Sequence, residues 1–220
     1  MRIREFLASK GFSVLRELVG EGGSATVHKA EAGVENSLGL EAATPVAVKV
    51  YRETLLAGAG QLARVRQEAD LGQSISNDHI VRAFGLLEEG DNLVLVMQWI
   101  DGATLEEWVP KQRKNLAWSR AQTIALQLID ARQTLHAAGV WHRDVKPENI
   151  MVRSDDSTVL MDIGVAELAS GDDHTLHTEL KDFLGSVRYA SPQYIQGEDF
   201  SAGDDVYSLG ATLLYLFSGR

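Results

Sequence analysis

"WHRDVKPENIMV", residues 141–152, is the stretch on which the reading of this chain turns. It places Asp144, Lys146 and Asn149 in one turn-forming segment, with Pro147 among them to stop a helix from continuing. Twelve residues beyond Asn149 begins "MDIG", 161–164, which sets Asp162 at the end of an apolar, β-like run and a glycine shortly after it. Three carboxylate or amide side chains beside one lysine suit a magnesium–nucleotide site. Hard oxygen ligands hold the metal, and a fixed cation meets the phosphate.

Upstream, "LVGEGGSATV", 18–27, packs three glycines into four positions. Taken alone, a G-x-G fits a flexible turn as well as a phosphate-holding loop. A P-loop would continue with G-K-[ST], which Gly23-Ser24-Ala25 does not supply. A dinucleotide-binding motif would open a helix, whereas the β-branched Thr26 and Val27 continue a strand. Around the glycines, "FSVLRELV", "ATVHKAE", "PVAVKVY" (45–51) and "NLVLVMQWI" (92–100) read as strands. "GQLARVRQEADLGQSI" (60–75) reads as the one helix that interrupts them. Beyond "DGATL" the pattern changes. "SRAQTIALQLIDARQTLHAAG" (119–139) predicts a long buried helix, with Ser119 as N-cap and Gly139 as its stop. Two short β-like pieces follow, then a polar loop-rich segment from 167 to 204, then an apolar helix over 205–218. The order predicts an α+β protein of two lobes with its boundary near Asp101–Thr104.

Composition narrows the function classes. At 220 residues and 45% hydrophobic, the chain can bury one large core or two small ones. A net charge of −10 argues against nucleic acid as the partner, because phosphate neutralisation needs a basic face. There is no cysteine, hence no disulfide, thiolate metal site or cysteine nucleophile, which suits a reducing compartment. The start, "MRIREFLASKGF", lacks the apolar core of a signal peptide. The apolar tracts "LVLVMQWI" and "LGATLLYLF" are too short to span a bilayer. The expectation is a cytoplasmic protein with no membrane segment in this chain.

"HRDVKPEN", with "VAVK" (46–49) before it and "DIG" after it, resembles the eukaryotic-type protein kinase family, leaning towards its bacterial Ser/Thr members. The resemblance runs from about residue 12 to the end. It implies a two-lobed kinase domain over 1–220, with a β-rich N-lobe (12–100) and a helical C-lobe (101–220) truncated after the helix containing Asp205. The implied activity is transfer of the γ-phosphate of ATP, with Mg²⁺, to Ser or Thr hydroxyls of a protein substrate. By resemblance, Asp144 addresses the acceptor hydroxyl, Lys146 steadies the transferring phosphate, and Asn149 and Asp162 hold the metal. Lys49 meets the α- and β-phosphates, and Glu68, nine residues before "NDHIV", is its partner. Gly20, Glu21, Gly22, Gly23, Ser24 and Ala25 form the hairpin over the phosphates, with Ala25 where the family keeps a third glycine. Val19, Val27, Ala47 and Met151 wall the adenine, Met97 guards its rear, and Gln98, Trp99 and Ile100 lend it backbone groups. His142 is a packed structural residue rather than a proton shuttle. Arg143 pairs with a phosphorylated loop, for which Thr175, Thr178 and Ser170 are the candidates. Ser186 bridges the catalytic aspartate and lysine, and Asp205 in "DDVYSLG" braces the catalytic loop.

Two further substitutions depart from the family pattern. Ile163 replaces the usual phenylalanine of "DIG", and Gln193 replaces the glutamate that closes the activation segment. In the family that glutamate meets an arginine beyond the point where this chain stops. The helices of that later region would cover "LGATLLYLF", so the chain is read as a fragment of a longer kinase, or as one whose exposed apolar face is covered by a partner or by self-association. Two other functions compete: a pseudokinase-like nucleotide-binding or scaffold module, and a small-molecule kinase. Intact Lys49, Asp144, Asn149 and Asp162 favour the protein kinase over the first, and the activation-segment pattern favours it over the second.

Overall fold

A computed structural model describes residues 3–21, 25–52, 60–90, 92–112, 116–163, 167–168 and 187–219. The chain divides into two compact units, residues 1–76 with 82–100 and residues 77–81 with 101–220.

The first unit is built on an antiparallel sheet of five strands: β1 (Phe12–Glu21), β2 (Ala25–Ala32), β3 (Pro45–Tyr51), β4 (Ala83–Glu89) and β5 (Asn92–Gln98). Their order across the sheet is β1-β2-β3-β5-β4. Both faces of the sheet are covered, which is why β3 and β5 read as continuous apolar runs rather than alternating ones. On one face Val46, Val48, Val94 and Val96 pack with Phe12 and with Phe6 and Leu7 of helix α1 (Ile3–Ser9). On the other, Tyr51, Leu93 and Leu95 pack with Val65 and Ala69 of helix α2 (Gln61–Ser74). The sequence reading left α1 out. At seven residues it has too few turns to announce itself or to persist alone in water, and burial of Phe6 and Leu7 forms it. The chain leaves α1 through Gly11 at φ +82, where an added Cβ would lie 2.1 Å from the Glu35 carbonyl oxygen, so only glycine fits.

The second unit holds helices α3 (Leu105–Gln112), α4 (Trp118–Ala137), α5 (Pro192–Ile195) and α6 (Ala202–Ser218). A small sheet runs β6 (Gly102–Thr104), β8 (Ile150–Arg153), β9 (Thr158–Leu160), and β7 (Val140–Trp141) pairs with β10 (Glu167–Leu168). Helix α4 buries Ala121, Ile124, Ala125, Leu128, Ala131 and Leu135, a three- and four-residue stripe along its length. Its start corrects the expected cap. The N-cap is Ala117, whose carbonyl accepts the first helical N–H bonds, from Arg120 and Ala121, so Ser119 lies inside the first turn and caps nothing. Gly139 does end it, at φ +71. Helix α6 begins three residues before the expected 205, because Ser201 and Asp204 close a reciprocal capping box. Helix α3, which the sequence reading missed, carries Pro110 and buries Leu105, Trp108 and Val109.

Residues 77–81 join the second unit. Val81 donates to the Leu160 carbonyl, Leu160 donates to that of His79, and the Asn77 amide reaches Asp130 at 2.7 Å and Thr134 at 2.8 Å. On α6 and beside it, Leu214, Phe217 and Trp118 are exposed, with Trp118 stacked on Phe217 at 4.8 Å between ring centroids.

Phe6→Ala tests whether α1 is part of the first unit's core. It is expected to cost about 3–5 kcal/mol in urea unfolding, the usual loss for emptying a buried phenylalanine site.

Candidate functional site

In the second unit, Pro147 opens a single 3-10 turn, Pro147–Asn149, and the turn folds Asn149 back onto Asp144. The Asn149 amide Nδ2 donates to the Asp144 carbonyl at 2.9 Å and to its Oδ2 at 2.8 Å. Lys146 Nζ lies 2.7 Å from the same Oδ2. Two donors on one oxygen fix the plane of the Asp144 carboxylate. Asn149 also reaches the next segment, since its carbonyl accepts from the Met161 N–H at 2.7 Å, one residue before Asp162. With Nδ2 committed to Asp144, the amide oxygen of Asn149 can serve only as an acceptor. That oxygen and the Asp162 carboxylate are hard donors of the kind a divalent cation takes, so the residues present fit the expected metal.

Two site residues have left-handed backbones, Arg143 at φ +68 and Asp162 at φ +55. Such conformations cost non-glycine residues about 1–3 kcal/mol each and persist where surroundings over-determine them. At Arg143 the determinant is Asp205. Its Oδ1 accepts the Arg143 N–H at 2.8 Å and its Oδ2 accepts the His142 N–H at 2.8 Å. His136 Nε2 lies 2.9 Å from Oδ2 as well. Asp205 is fully buried. Burial pushes its carboxyl pKa up, but the His136 hydrogen bond, the nearby His142 and the two backbone N–H groups outweigh that and hold it below the ordinary value.

His142 is also fully buried, and both ring nitrogens serve backbone groups. Nδ1 accepts the Asp144 N–H at 3.3 Å, so Nε2 carries the proton and donates it to the Met161 carbonyl at 2.9 Å. One imidazole thus ties the backbone at Asp144 to the segment carrying Asp162. The Arg143 guanidinium stands over the Phe200 ring, 5.1 Å from its centroid. Ile163 is buried. Met151 is half-buried on β8, opposite Thr104.

In the first unit, Lys49 Nζ pairs with Glu68 Oε1 at 2.8 Å. Ala47 and Met97 are buried cross-strand partners on β3 and β5. Gln98 donates its N–H to the Arg82 carbonyl, Ile100 is buried, and Trp99 lies under the Lys29 ammonium at 4.5 Å. Val27 pairs with Gly20 and with Lys49 in neighbouring strands, and Glu21 pairs with Thr26. Ala25 opens β2 opposite Tyr51, a strand position that does not require glycine. Val19 is 39% exposed and lies in a bulge of β1 between Arg16 and Gly20. The neighbouring Leu18, at φ +48, donates its N–H to His28 Nδ1 at 3.1 Å. Gly22, Gly23, Ser24, Ser170, Thr175, Thr178 and Ser186 lie outside the described residues.

Three residues escaped the sequence reading: Tyr51, whose hydroxyl binds Glu68; His136, on Asp205; and Ser191, which bonds Asp204. Only Tyr51 had a local signal, since two residues along a strand bring a side chain back to the face of Lys49.

The family model described as "Protein kinase domain" matches residues 13–220. A probable serine/threonine-protein kinase of Streptomyces coelicolor is 33% identical over 210 residues, covering 94% of this chain and 30% of its own length. The serine/threonine-protein kinase PkaA of the same organism is 32% identical over 214 residues, covering 94% and 39%. The probable serine/threonine-protein kinase PknB of Lactococcus lactis is 30% identical over 209 residues, covering 95% and 32%. The chain therefore spans about a third of the length of these relatives.

The Asp205 clamp predicts a pH-dependent cost. Asp205→Ala should destabilise the protein by about 3–5 kcal/mol at pH 7, because several buried donors lose their acceptor. Since the folded pKa of Asp205 lies below the unfolded value of about 3.9, its contribution is full above that pH and is lost as pH falls through the lower folded value. Urea unfolding of both proteins should show the gap closing only in that acid range. A gap that persisted there would deny the clamp.

Proposed function

The chain belongs to the protein kinase family, and from that premise we propose that it transfers the γ-phosphate of ATP to serine or threonine hydroxyls of protein substrates. The observation that carries this reading is the convergence of Lys146 and Asn149 on one oxygen of Asp144. A carboxylate held by two donors is poised to orient a hydroxyl for in-line attack. Its proton need be accepted only as the new P–O bond forms. Lys146 then sits 2.7 Å from the oxygen that addresses the acceptor, close enough to follow the charge of the phosphoryl group in flight. The lysine two residues after the aspartate is also the mark of the Ser/Thr branch, and the relatives' names agree with it.

Lys49, oriented by Glu68, is the proposed contact for the α- and β-phosphates. Gly20 to Ala25 is the proposed cover for the phosphates. The adenine is assigned to Val19, Val27, Ala47, Met97 and Met151, and to the backbone of Gln98, Trp99 and Ile100. Asn149 and Asp162 are the residues that would hold Mg²⁺, which when bound would offset the negative charge of the phosphates. No helix among the described residues is long and apolar enough to cross a membrane. A cytoplasmic site of action is part of the proposal, supported by the absence of cysteine.

Incubation with labelled ATP, Mg²⁺ and a generic protein substrate tests the reading. Asp144→Asn and Lys49→Ala should each lower transfer by about 100-fold or more while the fold, read by circular dichroism, is kept. A chain that binds ATP yet moves no label would overturn the proposal.

A further inference from the structure

Side chains at 47, 49 and 51 share one face of β3, because a strand repeats every two residues. Lys49 and Tyr51 therefore stand side by side, and both reach the same carboxylate on α2. Lys49 Nζ meets Glu68 Oε1 at 2.8 Å, and the Tyr51 hydroxyl donates to Oε2 at 2.5 Å. The ammonium also lies 5.3 Å from the centroid of the Tyr51 ring. That ring is buried with Val65 and Ala69, which lie on the same face of α2 as Glu68.

We infer that Tyr51 is a positioning residue for phosphoryl transfer: its hydroxyl holds one oxygen of Glu68 so that the other stays aimed at Lys49. The inference rests on the kinase reading of Lys49. A carboxylate turns freely about its last torsion, which has broad, two-fold minima. A second donor on the second oxygen removes that freedom. Glu68 is only 5% exposed, so it needs compensation whenever its charge is present. If Lys49 alone compensated it, every approach of Lys49 to a phosphate would strip a buried carboxylate of its partner. With Tyr51 in place, Lys49 can be shared with the nucleotide while Glu68 keeps a short hydrogen bond and α2 keeps its tie to β3.

Tyr51→Phe removes the hydroxyl and keeps the ring, whereas Tyr51→Leu removes both. Tyr51→Phe should lower kcat about 10-fold, the scale of one hydrogen bond to a charged group. KM for the protein substrate should not move, and the melting temperature should stay within a few degrees. In a Glu68→Gln background the same substitution should change kcat less than about twofold, because coupled residues are not additive. Three results would overturn the inference. In the first, Tyr51→Phe stays within twofold of the parent while Tyr51→Leu falls, leaving only ring packing. In the second, Tyr51→Phe costs the same factor in both backgrounds. The third applies if the parent chain transfers no phosphate: the kinase reading then fails by itself, and Tyr51 is judged by displacement of a fluorescent ATP analogue. Unchanged nucleotide affinity in Tyr51→Phe would then overturn its role, and weaker affinity would uphold its hold on Lys49.

Discussion

A carboxylate with no exposure to water must find its donors inside the protein, and Asp205 finds them on the chain some sixty residues earlier. Because the donors are the consecutive N–H groups of His142 and Arg143, the backbone there has to turn both towards α6 at once. The left-handed conformation of Arg143 is the geometric result. Its energetic cost is offset by charge-assisted bonds in a dry setting, each stronger than a neutral one. From that fixed point the next residues follow. Asp144 leaves the turn with its N–H on His142, Pro147 prevents a helix, and the 3-10 turn brings Asn149 back to the Asp144 side chain. The site is thus anchored from α6 rather than from its own loop.

The first unit solves a different problem. Its sheet is covered on both faces, so the alternation of β3 separates two environments rather than core from solvent. Val46 and Val48 face the α1 side. Ala47, Lys49 and Tyr51 have the opposite parity, and Tyr51 packs on α2. A lysine on a buried face requires a partner within reach, and α2 supplies it at Glu68. The ion pair follows from this placement as much as it serves the site. The packing of Val65 and Ala69 sets the helix at the distance where a glutamate can reach β3.

What was legible in the sequence was mostly what is local. The "HRDVKPEN" segment carries its own turn in Pro147 and its own polar closure, so its geometry follows from a few adjacent residues. The strands and the long α4 were legible because their apolar patterns are strong. Ser119 misled because a hydroxyl near a helix start is a capping signal wherever it falls, and the tertiary packing of Ala121 and Ile124 set the first turn two residues earlier. Helix α1 and helix α3 are short and owe their existence to burial of Phe6, Leu7, Trp108 and Val109, which no local pattern announces. Asp205 was reached through resemblance alone, since 62 and 63 residues separate it from the groups it binds. Nothing in the sequence near His136 points to Asp205.

Residues 77–81 have a consequence for how the molecule can be taken apart. Because they pair with Leu160 and bind α4 through Asn77, the polypeptide passes from one unit to the other at 76/77, 81/82 and 100/101. The units are interleaved in covalent order. A single cleavage at the last of these points would not release two intact folding units. The later piece would lack the five residues that border β9, and Asp130 and Thr134 would lose the amide that joins them. Expression in halves, circular permutation and grafting of one unit onto another protein must therefore respect a discontinuous boundary.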